Sequence, residues 1–155
     1  MMTSLNLIQL NYASGGYNLL ARVIINDKPA LLLVDTSSPT TMIDNDHLQK
    51  FVTQTELKRS SRKNLAPGAP SIYSYIASIE RMEIGSVIIS NYKASSTDLS
   101  ALNRSLRGMG NPQIDGLLGC DLLRHCKATI NFEKRCLELG ALEEPAEPLK
   151  NEIIE

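Results

Sequence analysis

The sequence contains no tryptophan and only two phenylalanines. That scarcity bears on its one basic run, Lys58-Arg59-Ser60-Ser61-Arg62-Lys63. Surfaces that grip single-stranded nucleic acid interleave cations with aromatic rings on which bases stack. Here the rings are missing, and the run reads as a solvated loop. An excess of either charge is also lacking: 16 Lys and Arg stand against 17 Asp and Glu, a formal net charge of -1. That balance gives no electrostatic hold on nucleic acid or on an anionic membrane.

Cysteine is sparse. Cys120, Cys126 and Cys136 form an odd set without regular spacing, which argues against a disulfide-stapled secreted domain. No C-x-x-C or H-x-x-x-H pair accompanies His47 or His125, so free thiols are expected rather than a metal centre. No run approaches the roughly 18 apolar residues of a membrane span, and the N-terminus, Met1-Met2-Thr3-Ser4-Leu5, has no basic leader region. These absences point to a soluble, cytoplasmic chain with no metal, no cofactor, no nucleic-acid partner and no membrane contact.

What is present reads as strands. With 43% apolar residues over 155 positions, one domain can bury a core unaided. Leu5 to Leu10 is a short apolar segment, and Ser14-Gly15-Gly16 marks a turn. Tyr17 to Asn26 is β-prone, and Asn26-Asp27-Lys28-Pro29 is a turn. Ala30-Leu31-Leu32-Leu33-Val34 is a continuous apolar run, the pattern of a strand buried on both faces. The two form a hairpin that delivers Asp35 at the end of its second strand.

Thr40 to Ile43 predicts another short strand. Asp44 is placed to cap a helix over Asn45 to Phe51. A long strand is expected over Ser71 to Glu83, a turn at Gly85-Ser86, and strands at Val87 to Ile89 and Tyr92 to Thr97. Asp98 to Arg107 predicts a helix capped by Asp98, and Gly119 to Cys126 a second short helix. Lys127 to Phe132 and Cys136 to Leu139 complete the strands. The fold class is therefore mostly β, with one or two short helices. Residues 1–140 form the domain. Residues 141–155, with Glu143-Glu144-Pro145-Ala146-Glu147-Pro148, are expected to be an acidic, disordered tail.

Two segments carry a resemblance. The first is Leu31-Leu32-Leu33-Val34-Asp35-Thr36-Ser37-Ser38, followed by Thr40-Thr41-Met42-Ile43. The second is Ile114-Asp115-Gly116-Leu117-Leu118-Gly119-Cys120-Asp121-Leu122-Leu123, running into Ala128-Thr129-Ile130-Asn131-Phe132. Together, and in this order, they resemble the retropepsin-like aspartic proteases, that is, the retroviral proteases and their single-domain bacterial relatives. Either motif alone occurs by chance in ordinary β-proteins. The resemblance covers residues 5 to 140 and implies a closed β-barrel-like domain. It also implies a flap hairpin over Lys63 to Ile76, with Pro67, Gly68 and Ala69 at its tip.

The resemblance further implies peptide-bond hydrolysis by two carboxylates sharing one proton, with no metal and no covalent intermediate. The chain has one Asp-Thr-Ser-Ser motif, so each subunit of a homodimer supplies one catalytic Asp35, and the substrate is a polypeptide. Thr36 takes the role of bridging to the partner's backbone. Ser38 is expected to donate a hydrogen bond to Asp35. Gly116 and Gly119 serve structurally, permitting a close crossing under the active-site strand. Asp115 lacks the motif context and is read as structural, Asp121 as the start of a short helix, and both histidines as lone residues.

Three departures from the pattern stand out. Ser37 replaces the family glycine beside the catalytic aspartate, where a Cβ is expected to crowd the cleft, so a catalytically impaired peptide-binding or dimerisation module is the alternative. Cys120 and Pro39 occupy the places where retroviral members pair an Arg with an Asp. The tail beyond Leu139 does not resemble the retroviral termini.

Overall fold

Residues 2–53, 56–61 and 73–140 are described by the computed structural model. In chain order the strands are β1 (Thr3–Asn6), β2 (Ile8–Asn11), β3 (Tyr17–Ile25), β4 (Lys28–Val34), β5 (Met42–Asp44), β6 (Leu57–Ser61), β7 (Tyr73–Ile84), β8 (Val87–Thr97), β9 (Gly116–Leu118), β10 (Thr129–Asn131) and β11 (Cys136–Leu139). A 3-10 helix covers Asn45–Lys50, and two α-helices follow, α1 (Ser100–Gly108) and α2 (Cys120–His125).

The strands run β2-β3-β4-β9-β5-β8-β7-β6, and a further pairing of β3 with β7 closes the six strands from β3 to β7 into a barrel. Closure is short, with Ile24 opposite Glu83 and Ile25 opposite Met82. Asn26 reinforces it. Its Oδ1 accepts from the Glu80 and Arg81 amides at 3.0 and 3.2 Å, and its Nδ2 donates to the Phe51 carbonyl at 3.0 Å. Asn26 can do this because it stands in the two-residue turn between β3 and β4, where both Asn26 (φ 48) and Asp27 (φ 67) are left-handed. Asn and Asp tolerate that conformation better than most side chains. The turn is thus tighter than expected, and Lys28 and Pro29 already belong to β4.

The apolar run before Asp35 is continuous because both faces of its sheet are covered. On β3, Leu19, Ala21, Val23 and Ile25 line the barrel interior, while Leu20 faces a second core. On β4, Ala30 and Leu32 point inward and Leu31 and Leu33 outward. The second core is roofed by α1 through Leu99 and Leu106, with Leu10 and Ile114. Period-two alternation splits each strand between the two cores.

Several boundaries differ from the sequence-based expectation. Leu5 to Leu10 is two strands in two sheets: β1 pairs with β11, and β2 with β3. The break falls at Leu7, whose amide donates to Arg135 O instead. β8 runs without interruption. On β8 the inward set shifts from Val87 and Ile89 to Tyr92 and Ala94, and on β7 from Ala77 and Ile79 to Met82 and Ile84. Both shifts occur beside Asn91 (φ 55), where the register is unbroken. Because the two strands switch face together, pairing survives while the alternation pattern does not.

The front of the basic run is strand rather than loop: Lys58 to Ser61 pair with β7, from Ile76 to Tyr73. Charged residues are at home there because β6 is an edge strand. The expected flap over 63–76 falls largely on residues 62–72, and its tip residues Pro67, Gly68 and Ala69, like the tail 141–155, lie outside the described residues. Among the described residues no helix is long and apolar enough to cross a membrane.

The glycine of β9 makes a specific steric prediction. A Cβ on Gly116 would lie 2.2 Å from Met42 O, whereas one on Gly108 would meet nothing within 4 Å. Gly116→Ala should lower the free energy of unfolding by about 3 kcal/mol or more, and Gly108→Ala should change it by less than about 1 kcal/mol, in the stabilising direction. Urea unfolding of the two variants beside the wild type checks both; equal stability of Gly116→Ala and wild type would contradict the crossing geometry.

Candidate active site

Asp35 follows the last residue of β4. Its amide donates to Leu118 O at 3.0 Å, which extends the parallel pairing of β4 with β9 (Leu32 with Gly116, Val34 with Leu118) by one residue. The main chain therefore fixes the aspartate at the mouth of a sheet end. Its side chain is half-buried, and Thr36 and Ser37 beside it are exposed. Oδ1 of Asp35 accepts two bonds from Ser37, from the amide at 2.9 Å and the hydroxyl at 2.5 Å. Oδ2 accepts none from the described residues.

Ser38 does not act on Asp35 as expected. It is buried, its amide donates to Asp35 O at 3.2 Å, and its hydroxyl donates to Thr40 O at 2.7 Å. The turn aims Ser38 back into its own loop, and the neighbouring Ser37 reaches the carboxylate in its place. Ser37 is outside the left-handed region, so the backbone at this position does not require glycine.

The second motif grips this loop from below. A Cβ on Gly119 would sit 2.4 Å from Thr40 C and O, so the two segments cross with backbone against backbone. Amides of Cys120 and Asp121 donate to Ser38 O and Pro39 O at 2.9 and 3.1 Å. Asp121 does more than start α2. Its Oδ1 accepts from the Thr41 amide and hydroxyl, both at 2.9 Å, and from the Leu122 amide at 2.7 Å; its Oδ2 accepts from the Tyr92 hydroxyl. Thr41 Oγ1 in turn accepts from Gly119 N at 3.0 Å. Cys120, free and exposed, donates its thiol to Thr36 O at 3.1 Å. A thiol thus touches the active-site loop where retroviral members carry a cation.

Asp115 is committed elsewhere. Its Oδ2 accepts from Leu31 N at 2.8 Å, and its Oδ1 meets His47 Nδ1 at 2.8 Å and Lys50 Nζ at 3.0 Å. His47 is therefore not a lone residue. Its other nitrogen lies 3.6 Å from Asp44 Oδ2. Asp44, only 1% exposed, does not cap the 3-10 helix that follows it. Its carboxylate is taken by Leu99 N at 3.0 Å and Asn103 Nδ2 at 3.2 Å. Sequence reading missed this cluster because its members come from β5, the 3-10 helix, α1 and the segment before β9. The single local signal was His47 three residues after an acid. Among the described residues no group of three or more His, Cys, Asp or Glu is arranged to hold a metal ion.

Burial, and then the bond to Asp121, hold the Tyr92 hydroxyl well above the ordinary tyrosine range, and burial pushes the Cys126 thiol up to about 11. Both raised groups favour the folded state in their neutral form. Their contribution is complete below the unfolded values of about 10 and 8.5 and is lost as pH rises beyond them. Tyr92→Phe should cost about 1–3 kcal/mol at pH 7, because Asp121 Oδ2 loses its donor. It should also show a shallower loss of stability between about pH 10 and 11 than the wild type. Denaturant unfolding at neutral and alkaline pH checks this, and parallel pH profiles for the two proteins would refute it.

The family model described as aspartyl protease matches residues 21–122. The structure is similar to a retropepsin-like aspartic protease from Rickettsia conorii (20% identity, 90% of this chain and 91% of that one, TM-score 0.58). It is also similar to the retroviral protease-like domain of Ddi1 from Leishmania major (12% identity, 86% and 97%, TM-score 0.55). EIAV protease, in complex with an inhibitor, aligns at 15% identity over 79% of this chain and 100% of that one, with a TM-score of 0.51. No curated protein sequence matches the chain. With Asp35 held at the end of β4 over the glycine crossing, and with the family model spanning both motifs, the chain belongs to the aspartyl protease family and has the retropepsin-like fold.

Proposed function

We propose that the protein is an aspartic endopeptidase whose active site is assembled from two copies of the chain, one Asp35 from each. The observation that carries this reading is the isolation of Asp35. Its carboxylate is half-exposed and is held by Ser37 alone among the described residues. The other acids near the crossing are occupied: Asp115 by Leu31, His47 and Lys50, and Asp121 by Thr41, Leu122 and Tyr92. The second carboxylate that this chemistry needs therefore comes from a second subunit, and a two-fold axis beside Asp35 supplies it.

In that dimer the two carboxylates share one proton, because close like charges do not both ionise. The ionised member takes a proton from water as the water oxygen bonds to the peptide carbonyl carbon. The protonated member gives its proton to the carbonyl oxygen, forming a tetrahedral diol. Collapse of the diol breaks the C–N bond, and a proton passes to the departing amine. Exposed Thr36 is placed to bridge the subunits. The β6–β7 pair forms the arms of a flap, with Pro67, Gly68 and Ala69 toward the substrate. An extended peptide fits such a cleft by adding strand-like backbone hydrogen bonds. EIAV protease binds an inhibitor on this fold, and the present chain is expected to accept peptide ligands.

A diverse peptide pool incubated between about pH 3 and 8 with concentrated protein, wild type beside Asp35→Asn, tests the reading. Cleavage by wild type should fall by at least about a thousandfold in the variant, the order expected for loss of a general acid–base group. Specific activity should also fall on dilution as the dimer dissociates. Cleavage that survives Asp35→Asn would overturn the assignment. A folded dimer that cleaves nothing would instead support a peptide-binding module.

A further inference from the structure

We infer that Ser37 is a positioning residue that selects which oxygen of Asp35 works. This rests on the aspartic-protease reading above and deepens it. Ser37 brings two donors to one oxygen: its amide lies 2.9 Å and its hydroxyl 2.5 Å from Asp35 Oδ1. Two donors from one residue fix the rotation of the carboxylate about its Cβ–Cγ bond. They saturate Oδ1 and leave Oδ2 as the oxygen that accepts from water and faces the second carboxylate. A glycine would supply the amide alone. The serine costs the loop nothing in backbone strain, since its φ is not left-handed. No other side chain takes the task, because the Ser38 hydroxyl is spent on Thr40 O.

The surrounding charges do not compete. On α2, Cys120 donates to Thr36 O, and the Asp121 carboxylate is filled by Thr41, Leu122 and Tyr92. Arg124 and Lys127 line a depression with Thr36, and neither bonds to Asp35. On the other side of the crossing, Asp115 is filled by Leu31, His47 and Lys50. In the proposed dimer the partner's Asp35 is the one further titrating group, and it carries the same serine. Ser37, the position that departs from the family glycine, thus stabilises the ionised form of the base through a charge-assisted hydrogen bond.

The test compares wild type with Ser37→Gly, Ser37→Ala and Ser37→Thr in the full chain. Two readouts are used: the pH dependence of kcat and KM on a cleaved peptide, and the titration of the Asp35 carboxyl carbon by NMR. In the Gly and Ala variants the acid limb of the kcat profile and the carboxyl titration should both move upward, by about 0.5–1 pH unit. That is the size of one net hydrogen bond. KM should stay within about twofold if the loss is in positioning rather than substrate binding. Ser37→Thr, which keeps the hydroxyl, should restore the wild-type position of both. Superposable profiles and titrations for all four proteins would overturn the inference, as would a shift in Gly and Ala that Thr does not rescue. Should the wild type cleave nothing, the NMR arm still decides: a shift in Gly and Ala restored in Thr upholds the Ser37–Asp35 bond while the protease reading fails on its own.

Discussion

Between β9 and the loop that follows Asp35 there is no room for a side chain. Gly116 runs against Met42, and Gly119 against Thr40, at distances that a Cβ would bring to 2.2 and 2.4 Å. Because the two segments touch through backbone, their peptide groups can bond directly, and they do. Asp35 N reaches Leu118 O, Cys120 N reaches Ser38 O, and Asp121 N reaches Pro39 O. Backbone ladders hold geometry more tightly than long side chains, which lose rotamer freedom when ordered. The position of the aspartate is therefore a property of the crossing, and the barrel around it serves to hold that crossing shut.

Buried carboxylates consolidate the same region. Asp44, Asp115 and Asp121 each accept from backbone amides that the strands leave unpaired, at Leu99, Leu31 and at Thr41 with Leu122. A buried amide without a partner is costly, so an acid at each place satisfies the main chain and fixes the meeting of two elements. Asp115 also ties the 3-10 helix to β4 through His47 and Lys50. Such clusters add less to net stability than their contacts suggest, but removing one partner strands the rest. None of the three acids is free to serve as a second catalytic group, and this is the structural ground for looking to a second copy of the chain.

The proposed chemistry divides along the same line. A single chain supplies a held carboxylate, a loop of hydroxyl and thiol groups, and a barrel that keeps both rigid. It does not supply the like-charged neighbour whose repulsion splits a shared-proton pair. Cys120 against Thr36 O, in place of a cation, makes the loop's support weaker in charge and stronger in short-range contact than in the retroviral pattern. Any subunit contact in this region must therefore be built without that arginine.

The strand-rich class, the hairpin delivering Asp35, the two glycine-bearing motifs and the short helix α2 were legible because each depends on neighbours in sequence. An apolar run, a turn pair such as Asn26-Asp27, or a glycine between apolar residues acts over a few residues. Folding alone decided what lies between distant segments. Leu5 to Leu10 is one apolar segment on paper and two strands in space, because β11 and β3 each claim one half. The break foreseen within β8 vanished, since β7 changes face at the same level and the pairing absorbs it. Asp44 left its expected cap for Leu99 and Asn103, and His47 gained two acids. The exchange of roles between Ser37 and Ser38 turns on which hydroxyl the loop points at Asp35, and side-chain direction in a turn is set by the whole loop's path. Local propensity determined which residues form the elements. Long-range hydrogen bonding and close packing, which no short window of sequence contains, decided which of those residues meet.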